Sequence, residues 1–298
     1  MNKSLISIAT LVGTLLLPVC GAHAQDRGDP KYQAGARNIG APVREDLVGL
    51  DAMARAKAMH ALSACADPYN FPYTSSSADP PGFDIEILRA VGKRAGLGSE
   101  MFWVDTGTRG GFGRAFRTSI DQNKCSIFLS LSVGDDDETK QHKLVFTHPY
   151  MTLGYILVTT AENAKGLTLE QLKKEKAKIG VAMSTPMDDY LFTNGFEREL
   201  YFQNRRVLEG LEKGEVKVAM IWASALAEAK RDYPKLKLQV APGFELQQGL
   251  RWNMAFAVPE SETELKKFLD ESLDELVKNG EIKRILESYG IPFYAPVN

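Results

Sequence analysis

The stretch that decides the fold is GFDIEILRAVGKRAG, from Gly82 to Gly96. Phe83, Ile87, Ala90 and Val91 recur at the three- and four-residue spacing of one helix face, and Gly96 supplies a stop. A short apolar strand, Leu62 to Ala66, precedes the helix, and a second strand, MFWVD from Met101 to Asp105, follows it. Strand, helix and strand in that order read as a parallel pair with a right-handed crossover.

Working outward, the same grammar repeats. A glycine-rich turn (Gly107 to Gly113) leads to a helix bearing Phe112, Phe116 and Ile120, then to the strand CSIFLSLS, Cys125 to Ser132. In the second half TLEQLKKEKA opens with the capping box Thr168 and Gln171. The strand KIGVAM then runs into Ser184-Thr185-Pro186, a helix start with proline in the first turn. Strands follow at Val216 to Trp222, Leu236 to Val240 and Trp252 to Val258. A helix over Ser261 to Asn279 carries Leu265, Phe268, Leu269, Leu273 and Leu276 on one side, and a last short helix ends at Tyr289-Gly290. The alanine-rich segment Asp46 to His60 also reads as helical.

Two such α/β sets, joined near Tyr150 to Val158 with a return near Trp252, predict two lobes connected by crossing strands. The default ligand site of that arrangement is the groove between the lobes. The loop after the first strand, ADPYNFPYTS, holds Tyr69, Phe71 and Tyr73 at alternate positions. At the carboxyl end of a parallel strand these rings either line the groove, dock a partner or pack one lobe on the other.

The chain of 298 residues opens with MNKSLISIATLVGTLLLPVCGAHAQ. Lys3, the apolar run Leu5 to Val19 and the small-x-small site Ala22-His23-Ala24 predict a secretory signal peptide over residues 1–24 and a soluble periplasmic protein after its removal. Cys20 lacks the small preceding residue that lipid attachment prefers. The formal charge of −2 is spread without a basic block, so no nucleic-acid partner is implied. Cys65 and Cys125 remain; an even pair in an oxidising compartment favours one disulfide, with two free core thiols as the alternative. No nucleophile elbow, zinc-protease helix or phosphate loop occurs, so neither an enzyme nor a cofactor is expected.

In order along residues 61–292, the aromatic-proline loop, GFDIEI, KCSIFLSLS, FTHPY before GYILVTT, KIGVAMSTP, LEGLEKGEVKVAMI, NMAFAV and SLDELVKNGEIKRILESYG resemble the periplasmic solute-binding proteins of the polar amino-acid type. That resemblance implies an α/β two-lobed fold of type II-like form, each lobe a mostly parallel sheet flanked by helices, with a hinge of crossing strands. It divides the chain into an arm and helix (25–60), lobe 1 (61–155 and 251–298) and lobe 2 (156–250). CADPYNFPYTS, TRGGFGRAF and the cysteine opening the later strand are further similar to a subgroup, the MxaJ- and XoxJ-type accessory proteins of methanol dehydrogenases that use pyrroloquinoline quinone. The resemblance implies a quinoprotein methanol dehydrogenase as partner.

Two departures from the amino-acid binders stand out. Their carboxylate-clamping arginine, six residues before the phenylalanine of an F-S-D-P-Y-like motif, falls at Lys140, a point charge in place of a planar fork. Their ammonium-binding aspartate falls at Trp222. A desolvated ammonium without a carboxylate costs on the order of several kcal/mol, which makes an α-amino acid a poor ligand. The groove candidates are therefore Tyr69, Phe71, Tyr73, Arg109, Ser132, Lys140, Thr185 and Trp222. Thr185 reads either as a hydroxyl offered to an anion with helix amides or as a plain cap. The acidic run GDDDET, Gly134 to Thr139, lacks calcium-loop spacing and reads as carboxylates opening a helix.

Overall fold

The chain's two βαβ sets meet in one sheet at a middle pair of strands, each antiparallel to both of its neighbours. The computed structural model describes residues 47, 49–134, 137–161, 166–241 and 244–297. Residues 1–46, which include the expected leader and most of the expected arm, and Asp135 and Asp136 of the acidic run lie outside them.

The described chain opens with α1 (Ala52–Met59), and β1 (Ala61–Ala66), α2 (Phe83–Arg94), β2 (Gly98–Trp103) and α3 (Gly111–Thr118) follow. β3 (Ile127–Ser132), α4 (Asp137–Gln141) and β4 (Leu144–Phe146) complete its first pass. β5 (Met151–Thr159) leads into the second lobe: α5 (Leu169–Lys174), β6 (Ile179–Ala182), α6 (Pro186–Thr193), β7 (Arg198–Tyr201), α7 (Asn204–Lys213), β8 (Val218–Trp222), α8 (Ala225–Asp232) and β9 (Gln239–Val240). β10 (Arg251–Pro259) returns, followed by α9 (Thr263–Lys278) and α10 (Glu281–Ser288).

The strand order is β2-β1-β3-β10-β5-β8-β6-β7. β1 pairs in parallel with β2 and β3, and β6 with β7 and β8. β5 and β10 are antiparallel to each other and to their lobe neighbours. The first residues of both strands make the crossing pair, Arg251 to Met254 opposite Gly154 to Met151, while Tyr155 onward belongs to β8. All nine β5 residues are buried, the continuous apolar pattern of a strand covered on both faces.

Several element ends differ from the sequence expectation, three of them for a visible reason. The first helix starts at Ala52, because the Asp51 side chain caps it by accepting from the Ala54 N–H at 2.7 Å. β2 begins at Gly98, since the backbone registers Gly98 opposite Ala61. Of Leu236 to Val240 only Gln239 and Val240 pair, against Thr159 and Val158.

The disulfide is present: Cys65 and Cys125 bond with their Cα atoms 5.6 Å apart, joining β1 to the approach of β3. Both sit in a buried cluster with Phe116, Phe128 and Leu131. No helix among the described residues is long and apolar enough to cross a membrane.

Candidate functional site between the lobes

The aromatic loop is held by one carboxylate and one glycine. Asp67, at the end of β1, accepts from the Tyr69 N–H at 2.8 Å and from the N–H and hydroxyl of Thr106 at 2.8 and 2.5 Å, tying the two strand-end loops together. Tyr73 then runs back past Gly82, whose φ is +122°. A Cβ there would lie 2.3 Å from the Tyr73 carbonyl oxygen, so only glycine fits. Phe83 backs the Tyr73 ring at 4.8 Å.

So placed, Tyr73 reaches across the groove. The Trp222 indole Nε1–H, at the end of β8, donates to the Tyr73 hydroxyl at 2.7 Å. Burial pushes the Tyr73 phenol up to about 12, and hydrogen bonds from Ser224 and Trp222 partly offset it. Trp222 packs edge-on to Tyr155 at 5.2 Å and against Trp252 at 5.6 Å. Beside them the Arg231 guanidinium of lobe 2 lies 3.9 Å from the Phe71 ring centre of lobe 1. The Lys230 ammonium donates to the Ser288 carbonyl at 2.6 Å, a third bond between the lobes.

The helix end that an anion would use is already engaged. Thr185 caps α6, accepting from the Asp188 N–H at 3.2 Å while its hydroxyl donates to the Ala182 carbonyl at 2.8 Å. The Asp188 carboxylate turns back to accept from the Ser184 N–H at 2.8 Å and pairs with Arg198. Burial raises the Tyr155 phenol, and a hydrogen bond with the Thr185 side chain opposes that rise.

Below Tyr73 lies a buried carboxylate. Asp84, in the first turn of α2, accepts from the hydroxyls of Tyr150 and Ser130, both at 2.7 Å. Desolvation lifts its pKa to about 7 against these hydrogen bonds.

Of the eight sequence candidates, Tyr73 and Trp222 touch directly, Thr185 joins them through Tyr155, and Phe71 lies beside them under Arg231. Tyr69, Arg109, Ser132 and Lys140 are exposed and stand outside this half-buried cluster. Tyr155, Ser224, Arg231 and Trp252 escaped the sequence reading. Tyr155 and Trp252 sit in strands whose apolar pattern signals core, and Arg231 belongs to a charged run that reads as solvated.

Three large apolar side chains with high exposure stand toward the carboxyl ends of β6 and β7: Met183, Leu200 and Phe202, the last 74 % exposed. The exposed Phe192, at the end of α6, lies instead against Arg198 at the start of β7. In the β6–β7 register Val181 lies opposite Leu200, which carries Met183 toward Phe202 on the same face.

The model for bacterial extracellular solute-binding proteins, family 3, matches residues 62–292. The probable amino-acid-binding protein YxeM of Bacillus subtilis is 24 % identical over 233 residues, 76 % of this chain and 82 % of that protein. Among solved structures, the unliganded open L-cystine solute receptor of Neisseria gonorrhoeae superposes with a TM-score of 0.63 at 14 % identity, covering 83 % of this chain and 99 % of that chain. An ancestral cyclohexadienyl dehydratase does so at 0.59 and 16 % identity, over the same shares of the two chains. The likeness to these structures is one of fold.

Proposed function

The chain belongs to the bacterial extracellular solute-binding proteins, family 3, and from that premise we propose that it is an exported accessory protein of methanol oxidation. In this reading it engages a pyrroloquinoline-quinone methanol dehydrogenase, or assists its maturation, and neither carries an amino acid nor catalyses a reaction. The observation that carries the departure from solute carriage is the Trp222 to Tyr73 hydrogen bond. Where amino-acid binders of the resembling type pair an ammonium, this chain holds an indole, and the indole spends its only donor on the opposite lobe. A zwitterion entering here meets no carboxylate at that position and must first break the bond between lobes. The exposed apolar side chains Met183, Leu200 and Phe202 offer a protein partner desolvatable area.

Methanol oxidation itself is supported by the motifs CADPYNFPYTS and TRGGFGRAF and by the Cys65–Cys125 pair. The leader over residues 1–24 supports a periplasmic location. The test is crosslinking and pull-down with the purified methanol dehydrogenase of the same cell, together with dehydrogenase activity after deletion of the gene. Contact or an activity defect supports the reading; neither contact nor defect overturns it.

The family and the probable amino-acid-binding relative favour a second reading, the receptor of an ABC transporter for a small organic acid. Lys140 and Thr185 would then hold the acid. Calorimetry over a panel of organic acids, amino acids and the quinone cofactor separates the two, since a micromolar ligand that closes the lobes indicates transport.

A further inference from the structure

We propose that the C-terminal tail, Tyr294 to Val297, is a strap that fastens the two crossing strands together and thereby sets how readily the lobes open. Thr152 of β5 and Asn253 of β10 stand directly opposite each other in the crossing pair. The tail binds both. The Thr152 N–H donates to the Tyr294 carbonyl at 2.9 Å. The Thr152 hydroxyl lies 2.7 Å from the Asn253 Oδ1 and 3.0 Å from the Ala295 carbonyl. The Asn253 Nδ2 donates to the Val297 carbonyl at 2.6 Å, and its Oδ1 accepts from the Val297 N–H at 3.0 Å. The Asn253 amide thus offers Val297 the donor and acceptor of a neighbouring strand, although β10 runs elsewhere.

The base of the tail is anchored, with Ile291 fully buried and Phe293 packed on the core. Beyond that base the tail borders a surface depression of about 240 Å³, whose other wall includes Phe244, Leu246 and Arg251. Beyond Tyr294, which still packs on the core, the strap residues Ala295 to Val297 let go without emptying a core. Gly154, two residues past Thr152, has the Leu250 carbonyl 2.9 Å from where a Cβ would stand, so the crossing strands and the loop before β10 are closely set. Opening a two-lobed fold of this kind concentrates backbone rotation in its few connecting residues. Here any twist that parts Thr152 from Asn253 also breaks the tail's bonds, because they end on both strands.

The experiment uses spin labels at Lys93→Cys and Lys213→Cys, one exposed site in each lobe, with pulsed dipolar spectroscopy reading their separation. It is run in the otherwise native chain and with Trp222→Phe, which removes the bond across the groove. Asn253→Ala, Asn253→Asp and a chain ending at Phe293 are compared. The open fraction is expected to rise roughly tenfold for Asn253→Ala and for the shortened chain. Asn253→Asp, which keeps the acceptor for the Val297 N–H, is expected to fall between. In the shortened chain Asn253→Ala is expected to add only the small effect of losing the Thr152 to Asn253 bond, well below its effect in the full chain. An unchanged separation for Asn253→Ala in both backgrounds, with the fold intact by circular dichroism, overturns the proposal. So does an Asn253→Ala effect of equal size with and without the tail. The point variants decide the matter even if the shortened chain does not fold.

Discussion

Trp222 and Tyr73, 149 positions apart in sequence and on opposite lobes, are joined indole to phenol at 2.7 Å. The bond closes the groove with the protein's own atoms, at a point where both partners are largely shielded from water. Trp222→Phe keeps ring contact with Tyr155 and Trp252 but removes the donor. The expected cost is about 1 kcal/mol, a melting temperature lower by about 2–4 °C, with a larger radius of gyration by small-angle scattering. No change in either quantity would show that the lobes are held without this bond.

Gly82→Ala tests what positions Tyr73. The new methyl would overlap the Tyr73 carbonyl at 2.3 Å, at a φ of +122° that side chains rarely adopt. The strain is expected to cost about 1–3 kcal/mol or more and to shift the tryptophan emission as Tyr73 leaves Trp222. Denaturant unfolding and fluorescence on the same sample read both effects.

The buried Asp84 gives the fold a pH dependence with a definite sign. Its folded pKa is raised from 3.8 to about 7 by desolvation. Between about pH 4 and 7 the folded chain keeps a proton that the unfolded chain has released. Stability from this group is therefore greatest below about pH 4 and declines as pH rises toward 7, by on the order of a few kcal/mol. Asp84→Asn removes that slope. Urea midpoints at pH 4, 5.5, 7 and 8 measure it, and parallel curves for the two proteins would contradict the assignment.

Removing the disulfide as Cys65→Ala with Cys125→Ala frees a loop with a sequence separation of 60. Loop-closure entropy predicts a loss of about 4 kcal/mol. Denaturant unfolding of the double variant reads it. Because both cysteines pack with Phe116 and Phe128, part of the loss should remain when reduced native protein is the reference.

Local pattern carried much of the architecture into view. The helix over Phe83–Arg94, the Thr168 and Thr185 caps and the long helix before Asn279 are short-range matters of spacing and hydrogen bonding, and a reader of the chain meets all their parts within one or two turns. The same holds for Trp222, which is visible as a large ring at the end of a strand.

What the chain alone determined, then, is its set of strands and helices, its two-lobed class and the identity of the ring-bearing loop, because each rests on neighbours in sequence. Only tertiary structure decided that Tyr73 spans the groove to Trp222, that Asp188 fills the α6 end beside Thr185, that Arg231 lies on Phe71, and that the tail grips Thr152 and Asn253 together. Those relations depend on how the lobes and the tail pack. Side chains from distant segments compete there for the same donors, and residue spacing holds no record of which one wins.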